Sequence, residues 1–230
     1  MKASEFIKTL ILLAENCDTL YVKGCFGQDL NDPKAKVRYT NNNPYNAQKN
    51  RTNKINNINS TTFGFDCVNL IKGILWGFNF EQAPALYGGA EYKSNGVPDF
   101  GANDLMKYCY NVKTAQEGEP RDGEVLWLPG HCGVYIGGGQ VIESTPNWKD
   151  GVQFVNYKNR GWKQHGWLKF IEDDINIPEA DDTRPYHIVQ KGETLSRIAK
   201  KYNTTWQKLK KINNITNANL IFEGQKIYLK

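Results

Sequence analysis

Phe6, Ile7, Leu10, Leu13 and Ala14 recur at helical spacing near the N-terminus, which predicts an amphipathic helix. Lys2 and Lys8 flank its start, Glu15 cuts the run, and no small-residue cleavage pattern follows. A core-facing helix therefore fits this segment better than a secretory leader. A stronger stripe begins at Cys67, where Leu70, Ile71, Ile74, Leu75 and Phe78 share one helical face behind Gly64, Phe65 and Asp66. That spacing puts Cys67 in the first turn of a helix. Farther on, the period becomes strand-like. Val134 to Ile136 and Val141 to Ser144 flank Gly137-Gly138-Gly139, a hairpin with the glycines as its loop. No apolar run approaches the roughly 20 residues that span a bilayer, so membrane insertion is not expected.

The pattern breaks over Glu172 to Pro185, EDDINIPEADDTRP, which is acidic, proline-containing and poor in apolar residues. It reads as a linker between a large domain, 1–171, and a small one, 186–230. In the small domain Tyr186 to Val189 alternates as a strand and Lys191-Gly192-Glu193 is a turn. Thr194 caps a helix bearing Leu195, Ile198, Ala199 and Tyr202. Thr205 caps a second helix through Trp206, Leu209 and Ile212, which ends at Asn213-Asn214, and Gln225 to Leu229 returns as a strand. The order is strand, helix, helix, strand.

Composition sharpens this division. The 230 residues are 40% hydrophobic and 23% charged, a globular balance, with a net charge of +5. Residues 1–185 hold 20 basic and 22 acidic side chains, whereas 186–230 hold 9 and 2. The charge is therefore −2 on the large domain and +7 on the small one. Five cysteines without a CxxC pair argue against a disulfide scaffold and against zinc. No metal, cofactor or nucleic-acid partner is expected, and the chain is expected to act as a monomer.

Cys67 at a helix start feels the positive end of the helix dipole, which lowers a thiol pKa. It could equally be the first buried residue of its stripe. A nucleophile needs a base, and the chain has three histidines, His131, His165 and His187. With the three glycines as loop, His131 and Glu143 lie diagonally on one face of the hairpin, within reach of each other. Glu143 could then hold the imidazole by its second nitrogen, the orienting role in a nucleophile–base–orienter set. Strand alternation directs Cys132 to the opposite face from His131, and Cys17, Cys25 and Cys109 read as small buried apolar residues. Trp148 and Trp162, in polar loop sequence, are the aromatics best placed to line a cleft.

Two resemblances follow. YHIVQKGETLSRIAKKYNTTWQKLKKINNITNANLIFEGQKIYL resembles a LysM domain throughout. That family binds N-acetylglucosamine-containing glycans between two loops, here Gly192, Glu193, Thr194 and Leu195 with Asn219, Leu220 and Ile221. Glu193 stands where Asp is commoner, and Glu223 where Pro is. DTLYVKG, FGFDCVNLIKGILWG and GEVLWLPGHCGVYIGGGQVIES together resemble the NlpC-type cell-wall cysteine peptidases, over about residues 5 to 170. The resemblance implies an α+β, papain-like catalytic domain, with a helix-borne cysteine packed on an antiparallel sheet, plus a small βααβ LysM domain. It makes Cys67 the nucleophile and His131 the base. Glu143 takes the third position, where much of the family has His, and Tyr21 is the active-site tyrosine. Tyr21 is as readily a buried strand aromatic.

The family's Asp-Cys-Ser-Gly is here Asp66-Cys67-Val68-Asn69. In relatives that trim free L-alanine termini, the Asp and Ser hold that amine. Asp66 stays a substrate-binding candidate, but the Ser is gone, so intact glycan-linked stem peptides fit better. Asp66 is otherwise a helix N-cap. The implied activity is hydrolysis of peptidoglycan stem peptides, at the γ-D-glutamyl–diamino acid bond or, on the same site, at the N-acetylmuramoyl-L-alanine amide. A decayed, non-catalytic wall binder and a lipid acyl transferase are the rivals. Action at the bacterial wall without a leader suits a phage lysin released through a holin lesion, or a secreted enzyme shown without its leader.

Overall fold

The structure is a computed structural model that describes residues 1–82, 85–175, 184–190, 192–213, 215, 218–219, 221 and 225–230. Most of the expected linker, 176–183, lies outside the described residues, as do Lys191, Asn214, Leu220 and Glu223. The chain divides into two compact units, Met1–Ile136 with Val141–Asp174, and Gly137–Gln140 with Ile175–Lys230.

In the first unit α1 (Ala3–Asn16) buries Phe6, Leu10, Ile11, Leu13 and Ala14, the stripe its sequence carries. Three short strands, β1 (Thr19–Tyr21), β2 (Phe26–Asp29) and β3 (Phe63–Phe65), form one sheet with β3 central. The connection from β2 to β3 carries two polar helices, α2 (Pro33–Asn41) and α3 (Lys49–Asn56). β1 runs parallel to β3, with Tyr21 opposite Phe65. The strand therefore delivers Tyr21 beside the residue pair that follows Phe65, Asp66 and Cys67.

Helix α4 (Cys67–Leu75) buries almost its whole surface. Gly73 lets it lie close on β2, since a Cβ there would fall 2.8 Å from the Phe26 carbonyl oxygen. Lys72 is buried on the same helix. Its ammonium donates to the Phe100 carbonyl at 2.7 Å, pairs with Asp99, and lies over the rings of Trp76 and Phe100. A cation within an apolar stripe is tolerated because a carboxylate, a carbonyl and two ring faces surround it.

The second sheet has six strands in the order β4-β9-β5-β6-β7-β8, from β4 (Cys109–Thr114), β5 (Val125–Leu128), β6 (His131–Gly137), β7 (Gln140–Thr145), β8 (Gly151–Asn156) and β9 (Gln164–Leu168). β4–β9, β9–β5 and β5–β6 are antiparallel. β6 is longer than its sequence suggested. It starts at His131, directly after the Pro129-Gly130 turn, and the loop to β7 shrinks to Gly138-Gly139. Both glycines have positive φ, 58° and 76°, the backbone that a two-residue hairpin turn requires and a side chain disfavours. Every residue of β7 is buried, Glu143, Ser144 and Thr145 included. The Ser144 hydroxyl donates to the Phe65 carbonyl at 2.8 Å, which ties β7 to the strand that leads into Cys67.

A buried ion pair braces the other side. Arg51 on α3 donates to Asp150 Oδ2 at 2.6 Å and to the Tyr21 carbonyl, and Lys54 reaches the same Asp150 oxygen at 2.6 Å. The Arg51 side chain is 4% exposed. Asp150→Ala should therefore strand a buried guanidinium and lower the free energy of unfolding by about 3 kcal/mol. Urea denaturation checks this, and an unchanged midpoint would contradict it.

Composition placed 172–174 in the linker, but these residues hold the N-terminus. Ala3 N donates to the Glu172 carbonyl at 2.9 Å, and Ser4 donates to Asp174 through its amide and hydroxyl, at 2.9 and 2.5 Å. The acidic side chains that mimic a solvated tether thus include backbone and carboxylate partners for α1.

In the second unit β10 (Tyr186–Ile188) pairs antiparallel with β11 (Lys226–Tyr228), around α5 (Leu195–Lys201) and α6 (Trp206–Ile212). Thr194 and Thr205 cap the two helices by accepting from Arg197 N and Lys208 N. Val189, Leu195, Ile198, Ala199, Leu209 and Ile227 form the core. Among the described residues, no helix is long and apolar enough to cross a membrane.

Candidate active site

Cys67 is the first residue of α4, and Asp66 is its N-cap. The Asp66 carboxylate accepts three local hydrogen bonds. Oδ1 accepts from Asn69 N, and Oδ2 accepts from Asn69 Nδ2 and Gly24 N, each at 2.8 Å. Burial, then the neighbouring Cys67, pushes its pKa up to about 6. The cap fixes the first turn of α4, and with it the Cys67 sulfur.

That sulfur hydrogen-bonds with the Cys132 thiol and with the His131 ring. These two contacts, the Cys132 thiol first, outweigh burial and pull the Cys67 pKa down to about 5. For His131 burial opposes protonation, but hydrogen bonds and charge from Cys67 and Glu143 overcome it and push the ring up to about 9. His131 Nε2 lies 2.8 Å from Glu143 Oε2, which leaves Nδ1 for the sulfur. Between about pH 5 and 9 the favoured state is thus thiolate beside imidazolium, with a fully buried carboxylate behind the ring. This is a nucleophile, an acid–base group and its orienting partner in one row. His131 stacks on Trp162, with ring centroids 5.8 Å apart and planes 17° from parallel.

Tyr21 comes to the same place. Its ring meets Tyr45 edge-on at 5.8 Å. Burial, then the charges of Cys67 and Asp66, raises its phenol pKa well above the usual value. The hydroxyl is therefore kept as an O–H donor near the sulfur.

The sequence model of the NlpC/P60 family matches residues 42–170, more than half of the chain. The chain belongs to the NlpC/P60 family. The LysM domain model matches residues 187–230. A crystal structure of the P60 domain of an antigen from M. avium subspecies paratuberculosis is also similar, at 15% identity and a TM-score of 0.41. The match covers 74% of this chain and 98% of that one. As an NlpC/P60 protein the chain is a cysteine peptidase that acts on cell-wall peptidoglycan, and its LysM domain binds the glycan of that wall. The α+β architecture, papain-like in the catalytic unit with a small LysM domain, is the one its sequence implied.

Within this NlpC/P60 unit the structure brings Cys67, His131, Glu143, Tyr21 and Asp66 together. A carboxylate partner alone would not have singled out His131. His165 Nδ1 lies 2.6 Å from Glu124 Oε2, and His187 Nε2 lies 2.6 Å from Glu193 Oε2. The contact with a thiol is what distinguishes His131. The expectation that Cys132 faces away from the site is corrected, because its buried thiol meets Cys67. Alternation fixes where each Cβ points, not how far a side chain reaches. His131, at the first position of β6, carries a ring long enough to meet a sulfur that Cys132 touches directly. Trp162 is buried behind His131, not lining a cleft, whereas Trp148 is 65% exposed. Arg160 is a member of this cluster that sequence patterns did not suggest.

In the LysM unit Gly192 and Thr194 are exposed, with Gly192 at φ 76°. Glu193 is turned onto its own domain. Oε2 accepts from Gln190 N at 2.7 Å and meets His187. Leu195 is 1% exposed in the core, so only its backbone can face a ligand. Asn219 is exposed and Ile221 packs on the core, while Leu220 lies outside the described residues.

Proposed function

We propose that the enzyme is a γ-D-glutamyl–diamino acid endopeptidase that acts on intact, glycan-linked stem peptides. The observation that carries the chemistry is the row Cys67–His131–Glu143. The Cys67 thiolate attacks the amide carbonyl, and the tetrahedral oxyanion is stabilised by backbone N–H groups at the start of α4 and by the Tyr21 hydroxyl. His131 gives its Nδ1 proton to the departing amine, leaving a thioester. The neutral ring then takes a proton from water, whose hydroxide attacks the thioester, releases the new carboxylate and restores the thiolate. Glu143 holds the ring in the required tautomer throughout.

The substrate form is argued from Asp66. Three of its roughly four acceptor sites are taken by Asn69 and Gly24, so its main role is to cap α4, with little left for a free peptide amine. Recognition of a stem peptide still joined to muramic acid fits that arrangement. The exposed Trp148 ring offers an apolar rim for the sugar or peptide, and the loops around Gly192–Leu195 and Asn219–Ile221 hold N-acetylglucosamine.

Mass spectrometry of purified peptidoglycan after digestion tests this reading. The expected products are a new amine on the diamino acid and a free γ-carboxyl on D-glutamate. Release of whole stem peptides with free L-alanine termini would instead make the enzyme an amidase.

A further inference from the structure

Glu143 is a carboxylate with no exposed surface, and its charge must be matched inside the protein. His131 matches it only while protonated. When the imidazolium pairs with the Cys67 thiolate, the three groups sum to one uncompensated negative charge. The missing cation is Arg160, the residue after the short helical turn Tyr157–Asn159 between β8 and β9. Its side chain is 16% exposed. Nε donates to Glu143 Oε2 at 3.1 Å, and Nη2 lies 2.9 Å from Oε1, an ion-pair contact without hydrogen-bond geometry, so the guanidinium sits against both oxygens of the carboxylate. Nη2 also lies 3.0 Å from His131 Nε2 and 3.5 Å from the Thr145 hydroxyl. Trp148 covers the guanidinium, whose central carbon lies 5.0 Å from the ring centroid.

Resting on the Cys67–His131–Glu143 reading, we infer that Arg160 is a positioning residue that sets how tightly His131 holds its proton, by sharing the charge of Glu143 and standing against the imidazolium. A guanidinium cannot accept a hydrogen bond and keeps its charge throughout the working pH range. Beside Nε2 it therefore opposes protonation of the ring, while its charge against the carboxylate limits the negative charge Glu143 presents to that ring. The other titratable groups around the ring are Cys67 on α4, Cys132 on β6, Tyr21 on β1 and the cap Asp66. None of them supplies a cation. A simple stabilising ion pair would need the contact with Glu143, but not the approach to His131.

The test is the pH dependence of kcat and KM on a soluble muropeptide, with the rate of Cys67 alkylation by iodoacetamide measured in parallel. In Arg160→Met the full carboxylate charge falls on His131, which then gives up its proton less readily. We expect kcat to fall about 10- to 100-fold with KM within about twofold, and the alkaline limb to move up by about half a pH unit or more. Loss of a cation also shifts the alkylation midpoint of Cys67 upward. Arg160→Lys should restore the position of both limbs and part of kcat. If Arg160→Met does not fold, Arg160→Gln keeps a hydrogen bond to Glu143 without the charge and serves instead. A lower kcat with both limbs unmoved, or a raised KM with kcat intact, would overturn the inference. Failure of the underlying reading has a different signature, namely wild-type protein whose Cys67 shows no acidic alkylation midpoint.

Discussion

Cys67→Ala is expected to lower hydrolysis of wall suspensions and of soluble muropeptides by at least about 10⁴-fold while leaving the protein folded. The sulfur is the atom that attacks, and no neighbouring group can replace it. Cys132 is the nearest thiol, but burial and the Cys67 thiolate hold its pKa well above the usual value, so it stays protonated. The structural cost is small, about 1 kcal/mol or less, because alanine keeps the first turn of α4 and the Asp66 cap. Chemical labelling gives an independent check. Burial raises Cys17 and Cys25 to about 11 and Cys109 to about 12, whereas Cys67 is lowered to about 5. At pH 6.5 iodoacetamide should therefore alkylate Cys67 alone of the five, with activity lost in proportion. kcat/KM should rise through about pH 5 as the thiolate forms and fall through about pH 9 as His131 loses its proton. A Cys67→Ala protein that cleared walls at the native rate would mean that the hydrolytic chemistry does not run through this sulfur.

The parts of this site that were legible in the sequence were those tied to a period. The stripe Leu70, Ile71, Ile74, Leu75 put Cys67 at a helix start because α4 is buried almost all round. His131 and Glu143 could be paired because the glycines mark a tight hairpin that brings their strands together, although its loop is Gly138-Gly139 and not all three. What escaped lay in segments where no period forms. β1 and β3 have three residues each, too few to alternate visibly. α3, KNRTNKIN, buries Arg51 and Ile55, so a hydrophobic scan has almost nothing to detect. Arg160 reaches Glu143 from 17 residues along the chain, across a strand and a turn, and nothing local marks it among neighbouring lysines. Asn69 looked like a departure from a motif, and only the folded structure puts its amide on the Asp66 carboxylate.

Deleting residues 186–230 is expected to weaken binding to intact walls by about 10²-fold or more at low salt, while cleavage of a soluble muropeptide keeps its kcat/KM. The tethered domain turns each catalytic encounter on the wall into an intramolecular one, an advantage that a soluble substrate never enjoys. The charge adds a second signature. The deleted segment carries 9 basic and 2 acidic side chains, with Lys200 and Lys201 in the last turn of α5 and Lys210 and Lys211 in that of α6. Wall polymers with anionic groups attract such a surface over about a Debye length, near 10 Å at 0.1 M salt. Binding of the full chain should therefore fall as salt rises, and that of the remaining near-neutral domain should barely change. The cut must spare Glu172 to Asp174, because their bonds to Ala3 and Ser4 hold α1 in place. Pelleting of wall fragments against a salt series measures the first effect, and muropeptide turnover the second. A folded truncation that lost soluble turnover would mean the small domain serves the chemistry itself and not only its delivery to the wall.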